Sequence, residues 1–155
     1  MTITIHRGIN QIGGCITEIA SAFGSKIIID LGHNLPEGDN RDNDPLEKAE
    51  NIDPILDSVD AVFYTHSHGD HVGFEAYVAK KGIPQYIGSL SKRLLLLQRG
   101  SILYRHSTPE LQASKKAIEN FITYEAAKPI KIKDITVTPY YVSHSAPDAY
   151  MFLIE

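Results

Sequence analysis

Residues 61–71 read Ala61-Val62-Phe63-Tyr64-Thr65-His66-Ser67-His68-Gly69-Asp70-His71, an apolar run that delivers three histidines and one aspartate. The apolar part is continuous where a half-buried strand would alternate, which predicts a strand covered on both faces. The polar cluster then falls where a strand ends and a loop can aim several side chains at one point. Imidazole and carboxylate donors suit zinc and similar divalent ions. In an extended segment alternate side chains share a face, so His66, His68 and Asp70 are expected to point together. His71 projects elsewhere, within reach of a second ion; two-metal centres hold their ions about 3.5–4 Å apart.

At 155 residues the chain has room for one domain with a real core. Hydrophobic residues at 43% and charged residues at 22% argue against the disordered and fibrous classes. A net charge of −4 gives no general attraction to nucleic acid, so such a partner would need a local basic groove. The single Cys15 precludes an intrachain disulfide and fits a reducing compartment. No apolar run approaches the ~20 residues of a membrane span. Met1-Thr2-Ile3-Thr4-Ile5 lacks the charged and apolar regions of a signal peptide. The expectation is a cytoplasmic protein with no membrane partner.

Along the chain, residues 2–6 alternate as a strand, residues 15–20 form a second, and Lys26-Ile27-Ile28-Ile29-Asp30 a central third. Asp30 closes that strand and needs a partner. It can cap backbone N–H groups or orient a metal-bound histidine, and residue chemistry does not choose between the two. Residues 33–45 form a polar loop, with no calcium-loop spacing in Asp39, Asp42 and Asp44. Residues 46–51 read as helical, and Asp53-Pro54 as a cap and first turn. A helix is expected over 72–79, a strand over 85–87, and a helix capped by Ser89 or Ser91 with Leu90, Leu94 and Leu97 on its stripe. Lys92, Arg93, Arg99 and Arg105 give that helix a basic face, expected to be solvated. Thr108-Pro109 starts another helix, and residues 121–124 fit helix or strand. Residues 130–133 and 134–138 alternate as a hairpin, and residues 149–154 form a last strand. His144, within Ser143-His144-Ser145-Ala146-Pro147-Asp148, also follows a strand. Alternating strands and helices predict an α/β fold, a mixed sheet with flanking helices.

His66-Ser67-His68-Gly69-Asp70-His71 resembles the HxHxDH motif of the metallo-β-lactamase superfamily. Asp30 and His144 extend the resemblance through nearly the whole chain. The resemblance implies an αβ/βα sandwich with a dinuclear zinc centre, manganese or iron in some members. It implies His66, His68 and His144 as ligands of one ion, Asp70 and His71 as ligands of the second with catalytic roles, and Asp30 as their support. Ile29-Asp30-Leu31-Gly32 with Leu35-Pro36-Glu37, and Ser143-His144-Ser145-Ala146-Pro147-Asp148, look like motifs of the β-CASP group and its ribonuclease J-type nucleases. These enzymes cut RNA, or another phosphodiester, with a metal-bound hydroxide.

The family's bridging aspartate and C-terminal histidine have no counterpart, since Asp148 matches the P(D/E) position. The chain is therefore expected to be a single incomplete domain, the N-terminal half of the sandwich. On its own it is expected to hold metal weakly or not at all, to be inactive, and to self-associate through its uncovered apolar face. Two other readings remain at this point: hydrolysis of a small ester, thioester or lactam, and a non-catalytic half-domain that binds a partner.

Overall fold

The computed structural model describes residues 1–35 and 44–155. Nine strands form two sheets among the described residues. The first has six strands in sequence order: β1 (Thr2–Arg7), β2 (Ile16–Ala20), β3 (Lys26–Leu31), β4 (Ala61–Phe63), β5 (Gln85–Gly88) and β6 (Ile122–Tyr124). β1 to β3 are antiparallel, and β3 to β6 run parallel. The second sheet is antiparallel: β7 (Ile130–Ile132), β8 (Ile135–Tyr141) and β9 (Tyr150–Ile154). The helices are α1 (Asp53–Leu56), α2 (Glu75–Lys80), α3 (Ser89–Arg105) and α4 (Pro109–Glu119). The fold is α/β, a mixed sheet with flanking helices.

The isoleucine run and the run before the histidines are continuous because both faces of these strands are covered. Ile28 and Val62 are register partners and enter the core beneath the helices, with Ile55, Val78, Leu95 and Ile118. Ile27 and Ala61, paired one step earlier, face the other way into the core between the sheets, as does Phe63, with Ile135, Val137 and Tyr150. Period-two geometry thus assigns alternate residues of one apolar run to two cores. Phe63 stacks on Tyr86 at 4.6 Å between ring centres and meets Phe152 edge-on at 5.8 Å.

Several local expectations shift. Residues 46–51 form two short 3-10 turns, Pro45–Glu47 and Ala49–Ile52. Asp53 is not a cap but holds the Tyr77 hydroxyl and the Lys81 ammonium, each at 2.6 Å. The helix expected from Val72 begins at Glu75, because Val72 bridges to Leu31 and the Gly73 and Phe74 amides bond to the Leu31 carbonyl. α3 buries Ser91 and Leu95, while Leu90 and Leu97 are exposed, so the stripe lies one residue round from the expected one. Lys92 donates to the Glu119 and Phe121 carbonyls, and Arg99 to the Ser114 hydroxyl, which turns that side toward α4. Two of the four basic residues expected to be solvated are therefore structural. Residues 122–124 form the edge strand β6, while Phe121 N–H still bonds to the Ile118 carbonyl at the end of α4. Within the polar loop, Pro36, Glu37, Asp39 and Asp42 lie outside the described residues.

Removing the Phe63 ring opens a cavity at the contact between the sheets. Phe63→Ala is expected to lower the unfolding free energy by about 3–5 kcal/mol. Met151→Ala, at a position 58% exposed on β9, should change it by less than about 0.5 kcal/mol. Urea unfolding followed by circular dichroism measures both.

Candidate metal centre

The parallel pair β3 and β4 ends side by side, and the candidate residues leave from those ends. Asp30 has φ 58, a left-handed backbone that costs a non-glycine residue energy and is tolerated where the surroundings fix it. The turn brings its carboxylate, almost fully buried, against the start of the histidine loop. Oδ1 accepts the Thr65 backbone N–H at 2.8 Å, and Oδ2 accepts from His71 Nδ1 at 2.7 Å. The Thr65 hydroxyl donates to Oδ2 at 2.9 Å. Asp30 thus holds a backbone N–H and a histidine ring at once.

The Thr65 hydroxyl has one proton. With that proton on Asp30, its oxygen accepts from His66 Nδ1 at 2.9 Å. Proton donation from Nδ1 leaves the Nε2 lone pairs of His66 and His71 free, the tautomer a metal ligand needs. Asp30 therefore orients His71 directly and His66 through Thr65, a residue to which the sequence assigned no role.

The loop is a turn, not an extended segment. The amides of His71 and Val72 both bond to the His68 carbonyl, at 3.0 and 2.9 Å. Curling removes Asp70 from the face of His66 and His68. Its Oδ2 lies 3.5 Å from His71 Nε2 instead, so the expected trio of His66, His68 and Asp70 is not formed. His144 takes the third place: its Nε2 stands 3.1 Å from His66 Nε2, and one nitrogen from each of His66, His68 and His144 falls within a 4.8 Å set. His66 is buried, His68 half-buried and His144 exposed, so the cluster opens to solvent on one side.

Backbone packing holds the loop in place. Leu31 N–H bonds to the His71 carbonyl at 3.0 Å and His33 N–H to the Gly69 carbonyl at 3.1 Å. A Cβ on Gly32 would collide with the backbone of Asp70 and His71, and one on Gly13 would meet the Asp70 carboxylate. Buried Arg7 binds the carbonyls of Gly14 (2.6 Å) and Gly32, and its Nη1 pairs with Asp44 at 3.1 Å and Glu47 at 2.9 Å. Arg7, Gly13 and Gly32 support the site without reaching it. Glycine pairs at turns were visible in the sequence, but what they pack against was not.

Electrostatics separates the histidines. Burial, with the neighbouring imidazoles His71, His68 and His144 adding to it, drops the His66 pKa to about 3. His66 is thus neutral at physiological pH, as a ligand must be. For His71 burial also opposes protonation, but the hydrogen bond and charge of Asp30 and the charge of Asp70 outweigh it, and the pKa rises. The Cys15 thiol is pushed up by burial and by the charges of Asp30 and Asp70, which makes it a poor nucleophile. His6 pairs with Glu18 at 3.1 Å, and His106 is exposed; neither joins the centre.

The donor set fits a divalent ion of borderline softness. Three neutral-capable imidazoles converge, and the His66 and His144 nitrogens face each other at a distance where two lone pairs need a proton or a cation between them. Among the described residues no third donor joins Asp70 and His71.

Known proteins share this arrangement of chain. The family model of the metallo-beta-lactamase superfamily matches residues 19–148. Transcription termination factor FttA of Methanothermobacter thermautotrophicus is 28% identical over 92% of the chain, and ribonuclease J of Helicobacter pylori (strain 26695) is 26% identical over 99%. The chain spans 23% and 21% of those two proteins, about a fifth of their length. The crystal structure of MEM-A1, a subclass B3 metallo-beta-lactamase from a soil metagenome library, superposes with a TM-score of 0.58 at 21% identity. That match covers 90% of this chain and 50% of MEM-A1, a likeness of fold alone. With the family model spanning both the histidine loop and His144, the chain belongs to the metallo-beta-lactamase superfamily, a group of metal-dependent hydrolases.

Proposed function

We propose that these residues form the metal-binding part of a ribonuclease J-like nuclease of the β-CASP group, acting on RNA phosphodiesters. The observation that carries the reading is the convergence of His66, His68 and His144, with Asp70 and His71 set beside them on the Asp30 and Thr65 frame. The RNA substrate is taken from ribonuclease J, whose likeness to this chain runs over 99% of its length.

His66, His68 and His144 would hold one ion, zinc by preference and manganese as the substitute. Asp70 and His71 would contribute to a second position. A bound dication supplies Lewis-acid polarisation of water and of a phosphoryl oxygen. The chain's own groups do the rest. Asp30 keeps the His71 Nδ1 proton in place, so that Nε2 faces the site. The Asp70 carboxylate, with Oδ2 3.5 Å from His71 Nε2, can take a proton released at the site. Partial burial around His66 excludes water on the inner side, while the open side at His144 admits an extended polymer.

Since among the described residues only Asp70 and His71 serve the second position, the 155 residues alone should take up at most one ion and turn over no RNA. Open apolar side chains, Ile3 and Ile5 on β1 and Met151 and Leu153 on β9, favour self-association of the isolated chain.

His66→Ala or His68→Ala should remove bound zinc, measured by elemental analysis, and reduce RNA cleavage by the natural protein containing these residues by ~10³-fold or more, a loss of about 4 kcal/mol in the barrier. Retained zinc and retained cleavage would refute the ligand assignment. Hydrolysis of a β-lactam or thioester with no cleavage of labelled RNA would refute the substrate.

Asp30→Ala leaves the His71 and Thr65 donors facing nothing. Zinc affinity in a competition titration should fall by ~10–100-fold, with Asp30→Asn falling less because one acceptor remains. Equal affinity in all three proteins would remove Asp30 from its orienting role.

A further inference from the structure

His144 is the one candidate ligand that comes from the second sheet, and the most exposed of its trio. The segment carrying it leaves β8 and returns at β9. Its backbone ties at the return are Val142 N–H to the Ala149 carbonyl and Tyr150 N–H to the Thr65 carbonyl, each 3.0 Å. Among the described residues, the side chains of residues 143–147 make no hydrogen bond except that of His144 to His66. Something else has to fix where the imidazole stands.

Asp148 caps a helix that is distant in sequence. α3 starts after Gly88, which has no side chain, and no side chain of its own N-cap bonds its first turn. Asp148 Oδ2 accepts the Ser91 backbone N–H at 2.9 Å, and the Asp148 carbonyl accepts the Ser91 hydroxyl at 3.3 Å. A carboxylate suits this end of a 17-residue helix, where unpaired amides and the helix dipole favour negative charge. Oδ1 accepts the Tyr150 hydroxyl at 2.7 Å, so both oxygens are used. The backbone at Asp148 has φ 65, a left-handed turn held by these contacts. Gly88 is required on the other side, because a Cβ there would collide with Oδ2 and come within 2.8 Å of the Tyr150 ring. The cap expected from Ser89 or Ser91 is thus supplied from 57 residues away.

We propose that Asp148 is a positioning residue for His144, clamping its segment to the N-terminus of α3 and so setting it against His66 and His68. The proposal rests on the reading of those three histidines as metal ligands, and its test separates the two. Amide exchange by mass spectrometry is measured on the metal-free chain, and zinc affinity by competition, for Asp148→Ala, Asp148→Asn and Tyr150→Phe. Asp148→Ala should exchange about tenfold faster at residues 142–149 and at Ser91, with the remaining amides unchanged, and bind zinc about tenfold more weakly. Asp148→Asn, which keeps an acceptor for the Ser91 N–H, should recover most of both. Tyr150→Phe, which keeps the ring in the core, should fall between.

Local exchange that responds, with no zinc taken up by the natural protein containing these residues, would uphold the clamp and defeat the metal reading. Unchanged exchange and affinity in Asp148→Ala would overturn the proposal. So would an acceleration spread evenly over all amides in both Asp148→Ala and Tyr150→Phe, which would make Asp148 a cap for the fold as a whole.

Discussion

One buried carboxylate organises the centre. Asp30, next to last in β3, has a left-handed backbone where the register with β2 shifts, and it accepts from the backbone and hydroxyl of Thr65 and from His71. A buried carboxylate without donors would be costly, so the loop after β4 has to deliver them. Delivering them fixes the first and last residues of that loop. The turn between them then follows, since both the His71 and Val72 amides find the His68 carbonyl. The positions of His66, His68, Asp70 and His71 are consequences of satisfying Asp30.

That arrangement depends on β3 and β4 being parallel neighbours, so that their ends coincide. Their being interior strands depends in turn on two cores. Helices cover one face through Ile28, Val62 and Tyr64, and the second sheet covers the other through Ile27, Ala61 and Phe63. The second sheet also carries His144. Packing that hides Phe63 and Tyr150 is therefore the same packing that brings the third imidazole to the first two.

Much of this was legible in the sequence, for reasons that are physical. The runs Ile27-Ile28-Ile29 and Ala61-Val62-Phe63-Tyr64 announce doubly covered strands, and strand ends are where side chains can converge. Asp30, His66, His68, His71 and His144 were visible because imidazole and carboxylate at such ends have few other uses. What stayed hidden needed three-dimensional proximity. Extended geometry put Asp70 with His66 and His68, but the carbonyl of His68 captured two amides and curled the loop. The helix expected from Val72 gave way to a bridge with Leu31. Gly13 and Gly32 each let Asp70 and its neighbours approach a backbone, a role that no local pattern announces. Ser91 offered itself as a cap; the carboxylate that does the capping lies between β8 and β9, 57 residues away.

The charge pattern explains why such a cluster favours a dication over protons. Two carboxylates, Asp30 and Asp70, stand among four imidazoles. Protons cannot neutralise them evenly, because each added imidazolium repels the next, and burial with that repulsion takes the His66 pKa to about 3. His71 does gain in basicity, since Asp30 and Asp70 both lie against it. One side of the cluster is thus compensated and the other is not. A single +2 charge held by His66, His68 and His144 would add the missing positive charge without protonating a buried ring. The frame built around Asp30 leaves a neutral His66 whose Nε2 faces His144, an arrangement that suits a metal donor.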